Sequence, residues 1–272
     1  MTAPRSLVDS FADFVGGVGY RTVALPWGDC AVWELGSGPP LVLLHGIAGS
    51  RRLFYRVAPL LARDHRVIVP LLRGEDAPAP QATLDDLLGD LGALIDGLDI
   101  DGATLCGVSF GGALALAYGG RNDPRVARLV VQGGFAHFGL RGPDRIALAA
   151  SSLFPAWLGS LYFKRRVLHG PEIRLLREHA PGLENLVPEW SARTPFSTLR
   201  RRVRLIAGTD LSDRVRGIEA PLTFARGSLD RVVPRIYQER LAALRPDARR
   251  VIWDGVGHLA PLTHPDLFVR LF

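Results

Sequence analysis

The segment Gly107-Val108-Ser109-Phe110-Gly111 reads G-x-S-x-G, between the apolar run Ala103–Cys106 and the helical pattern Gly111–Gly119. At a sharp strand-to-helix turn of this kind the serine hydroxyl stands clear of the sheet. Gly107 and Gly111 fall where a side chain would obstruct the approach of helix to strand. The turn also sets the hydroxyl at a helix N-terminus, whose free N–H groups favour negative charge. A serine is a poor nucleophile until a base takes its proton. The pattern therefore asks for a histidine, and for a carboxylate that fixes its tautomer and stabilises the imidazolium.

The chain offers His45, His65, His137, His169, His179, His258 and His264. His45 precedes the nucleophile and suits a loop-ordering role. His264 stands before Pro265, at the start of the last helical pattern, and reads as a capping or surface group. Among the acids, Asp210 and Asp213 precede the Leu222 strand and read as surface or capping residues. Asp254 is too near His258 in sequence to reach around it. Asp230 lies in a loop of its own after a predicted strand.

The elements that must position these groups alternate. Leu41–Leu44, Arg66–Val69, Ala103–Cys106, Val126–Val131, Leu222–Ala225 and Arg249–Trp253 read as strands. Arg51–Ala62, Leu84–Leu98, Gly111–Gly119, Ile236–Leu244 and Pro265–Phe272 read as helices. The alternation implies an α/β fold, a mostly parallel central sheet with helices on both faces. Tyr20–Leu25 and Cys30–Glu34, separated by Pro26-Trp27-Gly28-Asp29, suggest an antiparallel hairpin at the sheet edge. About ninety residues separate the strand ending near Val131 from the one opening at Leu222. They carry helical patterns and no strand, and a structureless loop of that length is improbable. The expectation is a core of residues 1–135 and 210–272 with a helical cap inserted at 136–209, broken into short helices by Pro155, Pro171, Pro181, Pro188 and Pro195.

Composition narrows the classes. At 272 residues and 47% hydrophobic, the chain suits one domain with a small insertion. Cys30 and Cys106 form no CxxC pair and stand near no histidine cluster, so no metal site is indicated. No other cofactor is indicated. Gly102–Gly120 is uncharged for 19 residues, long enough to span a bilayer, but it is glycine-rich and divides into strand, turn and helix. Asp9 and Asp13 interrupt the one candidate leader segment, and nothing demands an oxidising compartment; a cytoplasmic protein without an integral membrane segment is expected. The net charge is +6, and Gly139–Thr209 alone holds twelve basic and five acidic residues. Such an arginine-rich segment is commonly a solvated surface, or a field that attracts anions or a membrane surface. No nucleic-acid-binding module accompanies it, so the expected partner is a small-molecule substrate. The oligomeric state is left open.

Taken together, these motifs resemble the α/β-hydrolase superfamily, from about Tyr20 to Phe272. Four blocks carry the likeness: His45-Gly46-Ile47-Ala48-Gly49-Ser50, the elbow at Ser109, Arg226–Pro234 around Asp230, and Gly255-Val256-Gly257-His258. The order Ser, Asp, His is the family order. The resemblance implies Ser109 as nucleophile, His258 as base and Asp230 as its acid. It assigns the two oxyanion donors to the backbone N–H of Ile47 and of Phe110, with His45, Gly46, Gly107 and Gly111 in the supporting loops. Val69–Asp76 is similar to the family's D-x-R-G-x-G stretch, with Leu71 where aspartate is usual and Asp76 where glycine is usual.

A serine nucleophile points to acyl transfer, and away from relatives that use an aspartate to open epoxides or displace halide. Ester hydrolysis is the first expectation and carbon–carbon bond hydrolysis the second. An acyltransferase or a ligand receptor that keeps the triad is a further possibility, since fold alone does not decide function. Phe135, Phe138, Leu140, Leu153, Phe154, Trp157, Leu158, Leu161, Tyr162 and Phe163 are candidates for an apolar pocket or for the packing of cap on sheet.

Overall fold

A computed structural model of the chain describes residues 6–75, 82–139 and 171–272, with positions 142, 146 and 148 between the last two segments. Helix α1 (Leu7–Gly17) precedes strands β1 (Tyr20–Leu25), β2 (Gly28–Leu35) and β3 (Pro40–Leu44). A 3-10 turn (Arg51–Phe54), α2 (Ala58–Leu61), β4 (Arg66–Pro70), α3 (Leu84–Gly97), β5 (Ala103–Val108), α4 (Phe110–Gly119) and β6 (Val126–Gln132) follow. Then come α5 (Pro171–His179), α6 (Leu183–Ala192), α7 (Phe196–Gly208) and α8 (Ser212–Arg216). The chain closes with β7 (Leu222–Gly227), α9 (Arg235–Leu244), β8 (Arg249–Trp253), α10 (Ala260–Thr263) and α11 (Pro265–Val269).

The eight strands form one sheet in the order β1-β2-β4-β3-β5-β6-β7-β8. β2 runs antiparallel to β1 and β4, and every later pairing is parallel. Central strands covered on both faces need apolar residues at every position, because successive side chains point to opposite sides. Leu41 and Leu43 enter one apolar cluster, and Val42 and Leu44 enter the other. In β4, Val67 and Val69 divide from Ile68 in the same way. All ten residues of α4 are buried, which explains a helix apolar all round rather than along one stripe. Helix α3 opens on a capping box, with Thr83 accepting from the Asp86 N–H while the Asp86 carboxylate accepts from Thr83 N–H.

The strands and the edge hairpin lie where the pattern put them, within a few residues. Four readings need correction. The expected helix Arg51–Ala62 is two short pieces, because a 3-10 turn ends at Phe54 and Pro59 sits in the first turn of α2. The last helix, expected over Pro265–Phe272, begins there but ends at Val269, and a short helix not anticipated, α10, precedes it. Pro188 does not break α6 but lies inside it, at the loss of one helical hydrogen bond. Helix α1 was not foreseen. Ser6 caps it by accepting from Asp9 N–H at 3.1 Å, the same acid that interrupts the apolar segment.

Between β6 and β7 the described residues hold helices α5 to α8 and one isolated bridge, His137 with Asp210. Pro155 and all of the apolar pocket candidates from Leu140 onward lie outside the described residues. Among the described residues no helix is long and apolar enough to cross a membrane. The uncharged Gly102–Gly120 stretch is β5, the elbow and α4.

Candidate active site

The elbow forms because two close approaches allow no side chain. A Cβ on Gly107 would run into the Gly111 carbonyl, and one on Gly111 into the Leu44 carbonyl at the end of β3. Between them Ser109 holds φ 57° and ψ −116°, a sparsely populated region for a residue with a side chain. Its N–H donates to Gln132 O at 2.9 Å, tying the turn to the end of β6.

The same end of β6 meets the histidine. Gln132 Nε2 donates to His258 O at 3.2 Å. A Cβ on Gly133 would lie 3.1 Å from both His258 Nδ1 and Asp230 Oδ2, so the imidazole and the carboxylate rest against that glycine. His258 Nδ1 and Asp230 Oδ2 are 2.7 Å apart. The other oxygen, Asp230 Oδ1, accepts from Val232 N–H at 3.0 Å and Val233 N–H at 2.9 Å, which fixes the carboxylate in its turn after β7. Burial disfavours the charged imidazole, but Asp230 and then Glu172 outweigh it and raise the His258 pKa above its ordinary 6.5. Ser109 and His258 are only 6% and 5% exposed. Among the described residues no hydrogen bond yet joins Ser109 Oγ to the imidazole; such contacts commonly tighten only with substrate bound.

The loop after β3 lies beside the serine. A Cβ on Gly46 would stand 3.5 Å from Ser109 Cβ. Phe110 opens α4, where its N–H has no preceding turn to bond to, and Ile47 follows Gly46 in the loop beside Ser109. His45 serves the loop: its Nδ1 is 2.9 Å from Gly46 O and its Nε2 2.9 Å from Glu75 Oε2. Glu75 is fully buried; desolvation raises its pKa, but His45, Ser50 and Arg51 together bring it below the usual carboxylate value.

The other candidates stand elsewhere. Asp210 accepts from Ser212 N–H, Asp213 pairs with Arg216, and Asp254 accepts from Ser228 Oγ. His65 and His137 face the carbonyls of Leu61 and Thr209, and His179 packs on His264. His169 is outside the described residues. Among the described residues no group of three His, Cys, Asp or Glu is placed to hold a metal.

Three charged residues had not been anticipated. Glu75 supports His45. Glu172 of α5 accepts from the main chain of His258. Arg202 of α7 donates to Ile47 O and to Arg73 O, both at 2.8 Å, and lies 5.4 Å over the Phe110 ring. It therefore touches both Ile47 and Phe110. In the run Arg200-Arg201-Arg202 nothing marks the third arginine except its helical spacing of three from the buried Leu199. Of the apolar pocket residues, Phe135 lines a small apolar cleft with Phe110, Leu114, Leu205 and Ile206. Phe138 packs on Phe135 and stacks on Tyr237.

A mostly parallel sheet that carries a serine elbow, an acid turn and a histidine loop at one edge is the architecture of an α/β hydrolase. The chain belongs to the α/β-hydrolase fold family, which it matches over residues 39–265. It is 28% identical to a non-heme chloroperoxidase of Streptomyces lividans over 86% of this chain and 90% of that one. It is 29% identical to a pimeloyl-[acyl-carrier protein] methyl ester esterase of Aromatoleum aromaticum, over 84% and 94%. To a 2-hydroxy-6-oxo-6-phenylhexa-2,4-dienoate hydrolase of Burkholderia cepacia it is 28% identical, over 88% and 87%. The family and the two relatives named as esterase and hydrolase support hydrolase activity, and the names of the three differ in reaction as well as substrate.

Proposed function

We propose that the chain is a serine hydrolase that cleaves carboxylic ester bonds of small apolar substrates through an acyl-enzyme on Ser109. The observation that carries the reading is the 2.7 Å contact of His258 Nδ1 with Asp230 Oδ2, held against the strand end that also anchors Ser109. With Nδ1 engaged, His258 Nε2 takes the proton of the Ser109 hydroxyl as Oγ attacks the ester carbonyl. The oxyanion accepts from Ile47 N–H and Phe110 N–H. His258 then returns the proton to the departing alcohol, and water repeats the sequence to release the acid. The apolar cleft beside Phe110 favours short to medium apolar acyl groups, and the segment 136–209, whose described helices are α5 to α7, serves as a cap. No cofactor takes part.

Carbon–carbon bond hydrolysis is the second reading, favoured by the relative from Burkholderia cepacia. The test begins with a fluorophosphonate, which needs no guess about substrate. Rapid labelling located at Ser109 by mass spectrometry, and lost in His258→Ala, is expected. Ester and vinylogous 1,5-diketone panels then separate the two readings. Ser109→Ala should remove about 10⁶ of turnover while leaving the fold intact; full activity in folded Ser109→Ala protein would end the proposal.

A further inference from the structure

Glu172 has an environment that packing alone does not require. It lies on α5, in the segment inserted between β6 and β7, and is 4% exposed. Among the described residues no lysine or arginine pairs with it. Its Oε1 accepts from His258 N–H at 2.8 Å and its Oε2 from Leu259 N–H at 3.3 Å. A buried carboxylate without a cation is costly unless its environment favours the charge. Here both oxygens are spent on the main chain of one loop, the loop that carries the histidine. The fit is close, since a Cβ on Gly257 would come within 2.6 Å of Glu172 Oε2 and of Leu175 Cδ1.

We propose that Glu172 is a positioning residue for the base: the insertion delivers a carboxylate that fixes the His258 main chain and stands with Asp230 as the second negative charge around the imidazole. The inference rests on the reading of His258 as base. The groups that face His258 are Asp230 from the turn after β7 and Glu172 from α5, and both favour its protonated form. The Glu172 pKa is itself raised above the ordinary carboxylate value, first by burial and further by Asp230, while His258 and the two N–H groups act against that rise and favour the charged form. The imidazolium formed as Ser109 gives up its proton is therefore stabilised from two sides. One side belongs to the sheet and the other to the insertion, so seating of α5 and readiness of the base are coupled.

The test is the titration of the His258 imidazole by NMR in the full chain, with the pH dependence of fluorophosphonate labelling of Ser109 beside it. In Glu172→Gln the shape and one acceptor persist and the charge is gone. Its His258 midpoint, and the acid limb of labelling, should fall by roughly one pH unit. Gly257→Ala, which displaces the Glu172 carboxylate without altering it, should lower the midpoint in the same direction and keeps the test available if Glu172→Gln does not fold. A purely structural Glu172 would lower labelling at every pH with the midpoint unmoved, and that result overturns the proposal. Failure of the wild-type Ser109 to label would instead sink the hydrolase reading, with the imidazole titration still legible by itself.

Discussion

Ser109, His258 and Asp230 are held by main-chain groups more than by each other. Ser109 is anchored through its N–H, Asp230 through two N–H groups of its own turn, and His258 through its carbonyl and its N–H. The raised pKa of His258 sets the direction of its pH dependence. As the proposed base His258 must be neutral to act, so under the ester-hydrolase proposal kcat/KM should rise with pH through a midpoint above the ordinary histidine value of 6.5. A midpoint at or below that value in the free enzyme would contradict the two-carboxylate environment. The same group affects stability. The contribution of the charged imidazole is full below the ordinary value and is lost as pH rises through the raised one.

At the scale of elements, α7 reaches the loop after β3, the proposed oxyanion loop, through one side chain. Arg202 is 4% exposed and burial lowers its pKa to about 10, with Glu75 acting against that shift, so it remains cationic at neutral pH. Its guanidinium spans two carbonyls, Ile47 O and Arg73 O, in a fork that lysine does not reproduce. Arg202→Met should lower kcat by about 10-fold to 100-fold with little change in KM, because the oxyanion contact is made in the transition state. Arg202→Lys should recover little of that loss. A rise in KM alone, measured on the same ester, would place Arg202 in substrate binding instead. The departure of Leu71 from the expected aspartate does not disturb this corner: Arg73 pairs with Asp90 at 2.6 Å and Glu75 reaches His45.

Across the whole molecule, α1 joins the sheet to the insertion. Phe14 meets Trp33 of β2 edge-to-face at 5.1 Å, and Phe11 meets Trp190 of α6 at 4.6 Å and Tyr55 at 5.2 Å. Each ring is partly buried, so Phe11→Ala and Phe14→Ala should each cost about 1–2 kcal/mol. The melting temperature should fall by a few degrees for each, by about 2–4 °C per kcal/mol at this size. Calorimetry that found both variants unchanged would show α1 to be an appendage.

The sequence by itself determined whatever depends on a local pattern. The strands were legible because a sheet covered on both faces demands unbroken apolar runs. The elbow was legible because two glycines are compelled by close approach around Ser109. The loops of Asp230 and His258 follow strands whose ends a short pattern marks. Tertiary structure decided what depends on a partner far along the chain. Nothing near Glu75 or Glu172, and nothing near Arg202 beyond its spacing from Leu199, distinguishes them from solvated charges; each is buried because His45, the His258 loop or the Ile47 carbonyl comes to meet it. Helix α1 belongs to the same class, since its aromatic face has meaning only against Trp33 and Trp190. Burial of a charge is a property of two segments at once, and a single segment of sequence cannot express it.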